Sequence, residues 1–266
     1  MTWHVSVLAV RPVGSHFIRV EVGGPGLASF LSLGTPDESV TLYFPRAGES
    51  SPPLMTCIDG VWGYHGLPNA PIGRNYTIRS VSPDSLVIDF ARHGTGVASN
   101  WAENASPGDG LVLWRQRGWY KPPANTDWIL LITDLTGLPA VARIVEQHDS
   151  PVPIMVRAVE DDPAYLDHPR VLSDDFEPPP GRGYVWFAGE TSEARKVRSH
   201  WRDVHGFQRD QITAVGYWRA EAENWERRYA AVSTEIERFY QACVDNGDSI
   251  TVAGEKVEEE LARRGL

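Results

Sequence analysis

Lys121-Pro122-Pro123-Ala124-Asn125-Thr126-Asp127-Trp128-Ile129-Leu130-Leu131-Ile132 divides the chain into two kinds of sequence. Paired prolines beside polar residues favour an extended connector. The apolar run that follows has no polar alternation, as expected of a strand buried on both faces. Thr133-Asp134-Leu135-Thr136-Gly137 then reads as a tight turn, and residues 138–146, with Pro139 in the first turn, as a helix. Residues 154–159, 184–188 and 212–215 supply further buried strands, with a helix over 192–205 between the last two. Strands alternating with helices predict a small parallel sheet.

Upstream of the connector the period is different. Residues 5–10, 17–22, 40–44, 76–79 and 86–90 are short alternating runs broken by Gly, Pro and Asp, which predicts antiparallel strands in a sandwich or small barrel. Downstream, Trp225, Tyr229, Val232, Ile236 and Phe239 recur at helical intervals, so one long amphipathic helix is expected over 222–243, its aromatic stripe serving as core. The charge-rich tail from Asp248 reads as a terminal helix.

At 266 residues and 42% hydrophobic, the chain is long enough for two domains. Its 35 acidic and 25 basic side chains give a formal charge of -10, a field that repels phosphate and so argues against nucleic acid or anionic membrane as a general partner. The two cysteines, Cys57 and Cys243, have no metal-ligand or disulfide spacing, which suits a reducing cytoplasm. Neither a leader nor an apolar stretch of bilayer length is apparent, so a cytoplasmic, non-spanning protein is expected. No catalytic triad or paired acid/base carboxylate emerges.

Two motifs carry chemistry. In Arg74-Asn75-Tyr76-Thr77-Ile78-Arg79, strand alternation puts Arg74 and Tyr76 on one face and Thr77 on the other. A guanidinium can pair with a pyrophosphate, a phenol ring can lie against an isoalloxazine, and Thr77 can bond a ring edge. Asp89-Phe90-Ala91-Arg92-His93-Gly94-Thr95-Gly96-Val97-Ala98-Ser99-Asn100-Trp101 places a glycine turn behind a strand and before a helix start, a cradle for phosphate. His93 is either a contact on the ribityl or phosphate portion or a structural residue, and Trp101 is read as core. A cation, a ring platform and an anion cradle in one β domain are what a dinucleotide flavin requires.

With Asp134-Leu135-Thr136-Gly137-Leu138-Pro139-Ala140, and with Gly189-Glu190 followed by Gly216-Tyr217-Trp218-Arg219, these motifs resemble the siderophore-interacting protein family, a branch of the ferredoxin-reductase-like flavoenzymes. The resemblance implies a two-domain α+β fold: an FAD-binding antiparallel β-barrel over 1–122, an NAD(P)H-binding parallel α/β domain over 127–221, and a C-terminal helical extension over 222–266. It implies FAD as cofactor, held by Arg74, Tyr76 and Thr77, with His93, Val97, Ala98 and Ser99 on its phosphate side. It also implies reduction of ferric siderophores with electrons from NADH or NADPH, or from a reduced ferredoxin. The chain departs from the family pattern at Trp114-Arg115-Gln116-Arg117-Gly118, which lacks a Gly-Pro pair, at Val97, where Pro is common, and over 161–182, which is short and lacks a strand.

The turn at Thr136-Gly137, behind the first parallel strand, is where a nicotinamide nucleotide would dock, with Thr136 bonding the carboxamide and Gly137 leaving room. Gly189 and Glu190 end a strand on the same side, and Tyr217 and Trp218 end another. Glu160 would accept from an adenosine ribose, a slight preference for NADH, and Arg195 and Arg198 are either phosphate contacts or solvated charge. Arg117, Lys121 and Arg219 are the candidate contacts for an anionic ferric chelate. The rival readings are a flavin reductase for another acceptor and a non-redox siderophore-binding protein.

Overall fold

The computed structural model describes residues 2–46, 48–71, 73–92, 96–169 and 176–266. They form two compact units, Met1–Tyr217 and Trp218–Leu266.

In the first unit the chain opens with β1 (Thr2–Val13), β2 (Phe17–Gly23) and β3 (Ser39–Tyr43), followed by a hairpin of β4 (Thr56–Ile58) and β5 (Val61–Gly63). Then come β6 (Arg74–Val81), β7 (Ser85–Ala91), helix α1 (Val97–Asn104) and β8 (Gly110–Arg117). Six strands close into a barrel in the order β1-β2-β7-β6-β3-β8, every pair antiparallel. Of the two arrangements open to the sequence, the barrel is the one formed. Its core takes every second residue of the strands: Ile18, Val20 and Val22; Val40 and Leu42; Leu86, Ile88 and Phe90; Leu111 and Leu113. A period of two buries one face of each strand and leaves the other for solvent or for neighbouring elements.

The connector leads into β9 (Trp128–Thr133), α2 (Leu138–Glu146), β10 (Ile154–Ala158), β11 (Gly183–Glu190), α3 (Thr191–Asp203) and β12 (Ile212–Trp218). The sheet order is β10-β9-β11-β12, with β10 and β11 parallel to β9. One face, with Ile129, Leu131, Tyr184 and Trp186, packs on α2 through Val141 and Ile144; the other, with Trp128, Leu130, Val185 and Phe187, packs on α3 through Ala194 and Trp201. Burial on both sides is why β9 reads as uninterrupted apolar sequence. Between β9 and α2, Gly137 passes so close to β11 that a Cβ there would stand 2.1 Å from Thr133 Oγ1 and 2.8 Å from the Ala188 carbonyl. No strand occurs over the described residues between β10 and β11.

Buried carboxylates join barrel and sheet. Asp37, fully buried, accepts from the N–H groups of Trp119 (2.9 Å) and Tyr120 (2.7 Å) and from Trp186 Nε1 on β11 (3.3 Å). Asp162, beyond β10, accepts from the N–H groups of Ser15 (2.6 Å) and His16 (3.0 Å) in the β1–β2 turn. Asp89 on β7 binds Arg19 through two bonds of 2.7 and 2.6 Å and accepts from the Tyr165 hydroxyl at 2.5 Å.

The second unit holds α4 (Ala222–Ala230), α5 (Ser233–Asp245) and α6 (Ile250–Arg263). The single helix expected over 222–243 is therefore two. At Val232 the backbone leaves helical values (φ −120, ψ −1), and Ser233 Oγ donates to the Ala230 carbonyl at 3.2 Å, so a side chain satisfies a carbonyl that helix continuation would have used. Most of the expected stripe still packs: Trp225, Tyr229, Val232 and Ile236 meet Val257, Leu261 and Leu266, while Phe239 lies outside that cluster. α6 is the helix expected in the tail, and Ser249 caps it by accepting from Val252 N at 3.3 Å. Cys57 on β4 is exposed and Cys243 on α5 is buried. Among the described residues no helix is long and apolar enough to cross a membrane.

Candidate functional site

β6 enters the barrel behind Gly73, where a Cβ would meet Thr41 Cγ2 at 2.6 Å and the Tyr43 ring at 2.9 Å; only glycine lets the chain turn so tightly against β3. Beyond it, alternation puts Tyr76 and Ile78 against the barrel core and turns Thr77 away from it. Tyr76 leans on Phe90 with ring centres 4.4 Å apart, and Phe90 lies 5.6 Å from Trp101 of α1. The two sequence motifs are thus neighbours, linked by an aromatic string, and Trp101 packs against the core as expected.

Thr77 Oγ1 donates to the Tyr217 hydroxyl at 3.5 Å, bringing the end of β12 to the middle of β6. Around this contact lies a cavity of about 140 Å³, lined from the barrel by Ser39, Asn75, Tyr76, Thr77, Arg117 and Trp119 and from the sheet by Val215, Gly216 and Tyr217. Gly216 permits the approach, since a Cβ there would stand 2.5 Å from Thr191 Oγ1. Burial pushes the phenols of Tyr76 and Tyr217 well above their ordinary range, so both are neutral donors at any physiological pH. Arg117 Nη1 donates to Asn75 Oδ1 (2.8 Å) and Thr41 Oγ1 (3.2 Å). Burial and then the nearby Arg115 draw its pKa down.

An isoalloxazine suits these walls. Three aromatic residues, Tyr76, Trp119 and Tyr217, are among the lining, with the Tyr76 ring turned to the barrel core beside Phe90. Among the described residues the hydroxyl of Ser39, 2% exposed, has no hydrogen-bond partner, and the partners of Arg117 are neutral. Ser39 carries no sequence motif, and only its register opposite Thr77 and Arg117 marks it.

Arg74 is half-buried at the mouth of β6, with Nη1 donating to the Gly73 carbonyl at 3.0 Å. Val97, Ala98 and Ser99 form the first turn of α1, Val97 exposed and the other two buried, behind Gly96 as its N-cap. His93 lies outside the described residues.

At the carboxyl ends of β9 and β11, Asp134 organises the second predicted cluster. Its Oδ1 accepts from Thr136 N (2.8 Å) and Thr136 Oγ1 (2.6 Å), and its Oδ2 from Glu190 N (3.1 Å). A Cβ on Gly189 would meet the same carboxylate at 2.6 Å. Glu190 caps α3, accepting from Ser192 N (2.5 Å), Ser192 Oγ and Glu193 N (3.2 Å). Thr136, Gly189 and Glu190 are therefore brought together, through an aspartate the motif reading did not assign, and both polar side chains serve the local frame.

Glu160 is exposed just past β10. Arg198 donates to the Ala214 carbonyl at 2.8 Å, which ties α3 to β12, and Arg195 is half-buried on the same helix. Of the chelate candidates, Arg117 lines the cavity and Lys121 is exposed on the connector, its N–H bonding the Tyr184 hydroxyl at 3.1 Å. Trp218 and Arg219 belong to the second unit, where the Arg219 guanidinium lies 4.2 Å over the Trp225 ring.

Comparison with known proteins agrees with this geometry. Residues 6–119 match the family model described as the siderophore-interacting FAD-binding domain, and residues 170–221 the one described as siderophore-interacting protein. The chain is 28% identical over 239 residues to the NADPH-dependent ferric-chelate reductase of Escherichia coli, covering 82% of this chain and 92% of that protein. It is 24% identical over 260 residues to the ferric vibriobactin reductase of Vibrio cholerae, covering 84% and 93%. Among solved structures, a siderophore utilization protein from T. fusca superposes with a TM-score of 0.71 at 25% identity, covering 83% of this chain and 94% of that one. With both matched segments carried on this barrel and sheet, the chain belongs to the siderophore-interacting protein family.

Proposed function

We propose that this protein is an FAD-dependent oxidoreductase that takes electrons from NAD(P)H and reduces ferric siderophores, releasing ferrous iron. The observation that carries this reading is the cavity where Tyr76, Thr77 and Arg117 of the barrel meet Tyr217 of the sheet. Bound there, FAD supplies the chemistry, accepting a hydride and handing on single electrons. The chain supplies position and field. Arg74 and the first turn of α1, with Val97, Ala98 and Ser99, would hold the phosphates; Tyr76 would back the ring, Thr77 would bond its edge and Tyr217 would shield the opposite side.

The crevice of Asp134, Thr136, Gly189 and Glu190 receives the nicotinamide nucleotide through its backbone and its small residues, because the Thr136 and Glu190 side chains are already bonded. Iron stays in its chelator, an anionic substrate for which Lys121 on the connector is the candidate contact. The ferrous ion exchanges from hard oxygen ligands faster than the ferric, so reduction alone frees it. A cytoplasmic setting suits such a release, and a reduced ferredoxin is an alternative donor.

An anaerobic visible spectrum tests the reading. Purified protein should be yellow, bleach with NADH or NADPH, and recover its colour when a ferric chelate is added with a ferrous trap. A colourless chain that binds chelate without turnover would refute it.

A further inference from the structure

Arg117 and Ser39 present an imbalance that the barrel does not resolve by itself. The guanidinium is half-buried on β8, its hydrogen bonds run to the neutral Asn75 and Thr41, and no carboxylate among the described residues lies within ion-pair distance of it. Arg115, the charge that acts on it most, is of like sign. A partly desolvated cation with no counter-charge is costly, and so is a buried hydroxyl left unpaired. Ser39 has such a hydroxyl. The two are not scattered: Ser39 on β3 stands opposite Arg117 on β8 and opposite Thr77 on β6, so the cation, the orphan donor and Thr77 lie on three adjacent strands and line one cavity. Its other walls include Tyr76, Trp119 and Tyr217. Aromatic walls with a cation and a free hydroxyl at one edge describe a receptor for a flat, conjugated anion.

We propose that Ser39 and Arg117 form the anion-receiving edge of the flavin cavity, taking the pyrimidine side of the isoalloxazine (N1 and the C2 carbonyl), and that they raise the reduction potential of the bound flavin. The inference rests on the flavin reading above and assigns Arg117 to the cofactor instead of the chelate. Hydride transfer brings two electrons and one proton to the ring and leaves the donor as NAD(P)+. With no second proton taken up, one negative charge remains on the pyrimidine side, where Arg117 stabilises it and Ser39 donates a hydrogen bond to it. Two ferric ions then take one electron each, one proton is released, and the charge is gone. Because both groups favour the electron-rich ring over the oxidised one, their contribution appears in the potential more than in retention of oxidised FAD.

The test uses the full chain loaded with FAD, with the midpoint potential and a sulfite titration as readouts, since sulfite bleaches a flavin in proportion to the positive charge at this edge. Failure of the wild-type chain to take up FAD would refute the flavin reading and the inference with it. With FAD bound, Arg117→Gln is expected to lose tenfold or more in sulfite affinity and to lower the potential by about 30 mV, the value of a tenfold change for a two-electron couple. Arg117→Lys should recover most of both, and Ser39→Ala should show a smaller loss of the same sign. If Arg117→Gln sheds the cofactor, Arg117→Lys and Ser39→Ala decide by the same measurements. Unchanged potential and sulfite affinity in the variants that retain FAD would overturn the inference, including the case in which Arg117→Gln raises KM for the ferric chelate alone.

Discussion

Arg74 and Thr77 are three residues apart on one strand, yet they meet different neighbours: among the described residues Arg74 bonds the carbonyl behind it, while Thr77 reaches Tyr217. A guanidinium has five donors, so Arg74 keeps most of its capacity for a ligand. Losing one charge-assisted contact to phosphate costs roughly 1.5–3 kcal/mol, so Arg74→Ala is expected to weaken FAD binding about tenfold or more. Flavin content after gel filtration checks this, and undiminished content would remove Arg74 from the site. The opposite facing of Tyr76 and Thr77 was legible in the sequence because strand alternation alone sets it. Ser39 and Asp134 were not: one is a plain serine in a strand, and the other matters through partners that only folding brings near. Thr136 and Glu190 were legible as neighbours but not as groups already engaged, because a side chain's prior hydrogen bonds leave no trace in spacing.

At the scale of elements, the parallel sheet was readable because burial on both faces suppresses alternation in β9 and β11, and a helix follows each of those two strands. β8 is absent from the strands expected by alternation, since its second half carries Arg115, Gln116 and Arg117, of which Arg117 lines the cavity and Gln116 bonds Glu38 instead of serving the core. The break between α4 and α5 was hidden for another reason: Trp225, Tyr229, Val232 and Ile236 keep helical spacing straight through it. Gly137, a turn residue in sequence, is a packing residue in space. Gly137→Ala must displace Thr133 or the β11 carbonyl beyond it, and overpacking of this kind costs about 1–3 kcal/mol. Urea denaturation should show a lower midpoint at unchanged slope; an unchanged midpoint would mean that the turn shifts freely.

Within the first unit, two buried carboxylates, Asp162 and Asp37, couple folding to protons in opposite directions. Burial alone would raise the Asp162 pKa, but the N–H groups of Ser15 and His16 and the His16 ring outweigh it and hold the carboxyl below its ordinary value. Stability from Asp162 is therefore complete above the unfolded value of about 3.9 and is lost as pH falls through the lower folded one. At Asp37 burial prevails over the N–H groups of Tyr120, Trp119 and Trp186, and the pKa is raised. There the folded chain takes its proton first, so the contribution grows as pH falls from the folded value toward about 3.9. Denaturation midpoints followed from about pH 7 to about pH 3 should fall less steeply in Asp162→Asn and more steeply in Asp37→Asn than in the parent. Identical acid limbs would show that neither carboxylate couples folding to protons.

The unequal exposure of the two thiols also has a practical side. Cys57 stands open on its hairpin while Cys243 is closed off within α5. A maleimide offered to the folded protein should thus attach at a single place, giving a homogeneous conjugate and, on a derivatised electrode, one tethering point through which current from the bound cofactor can be read.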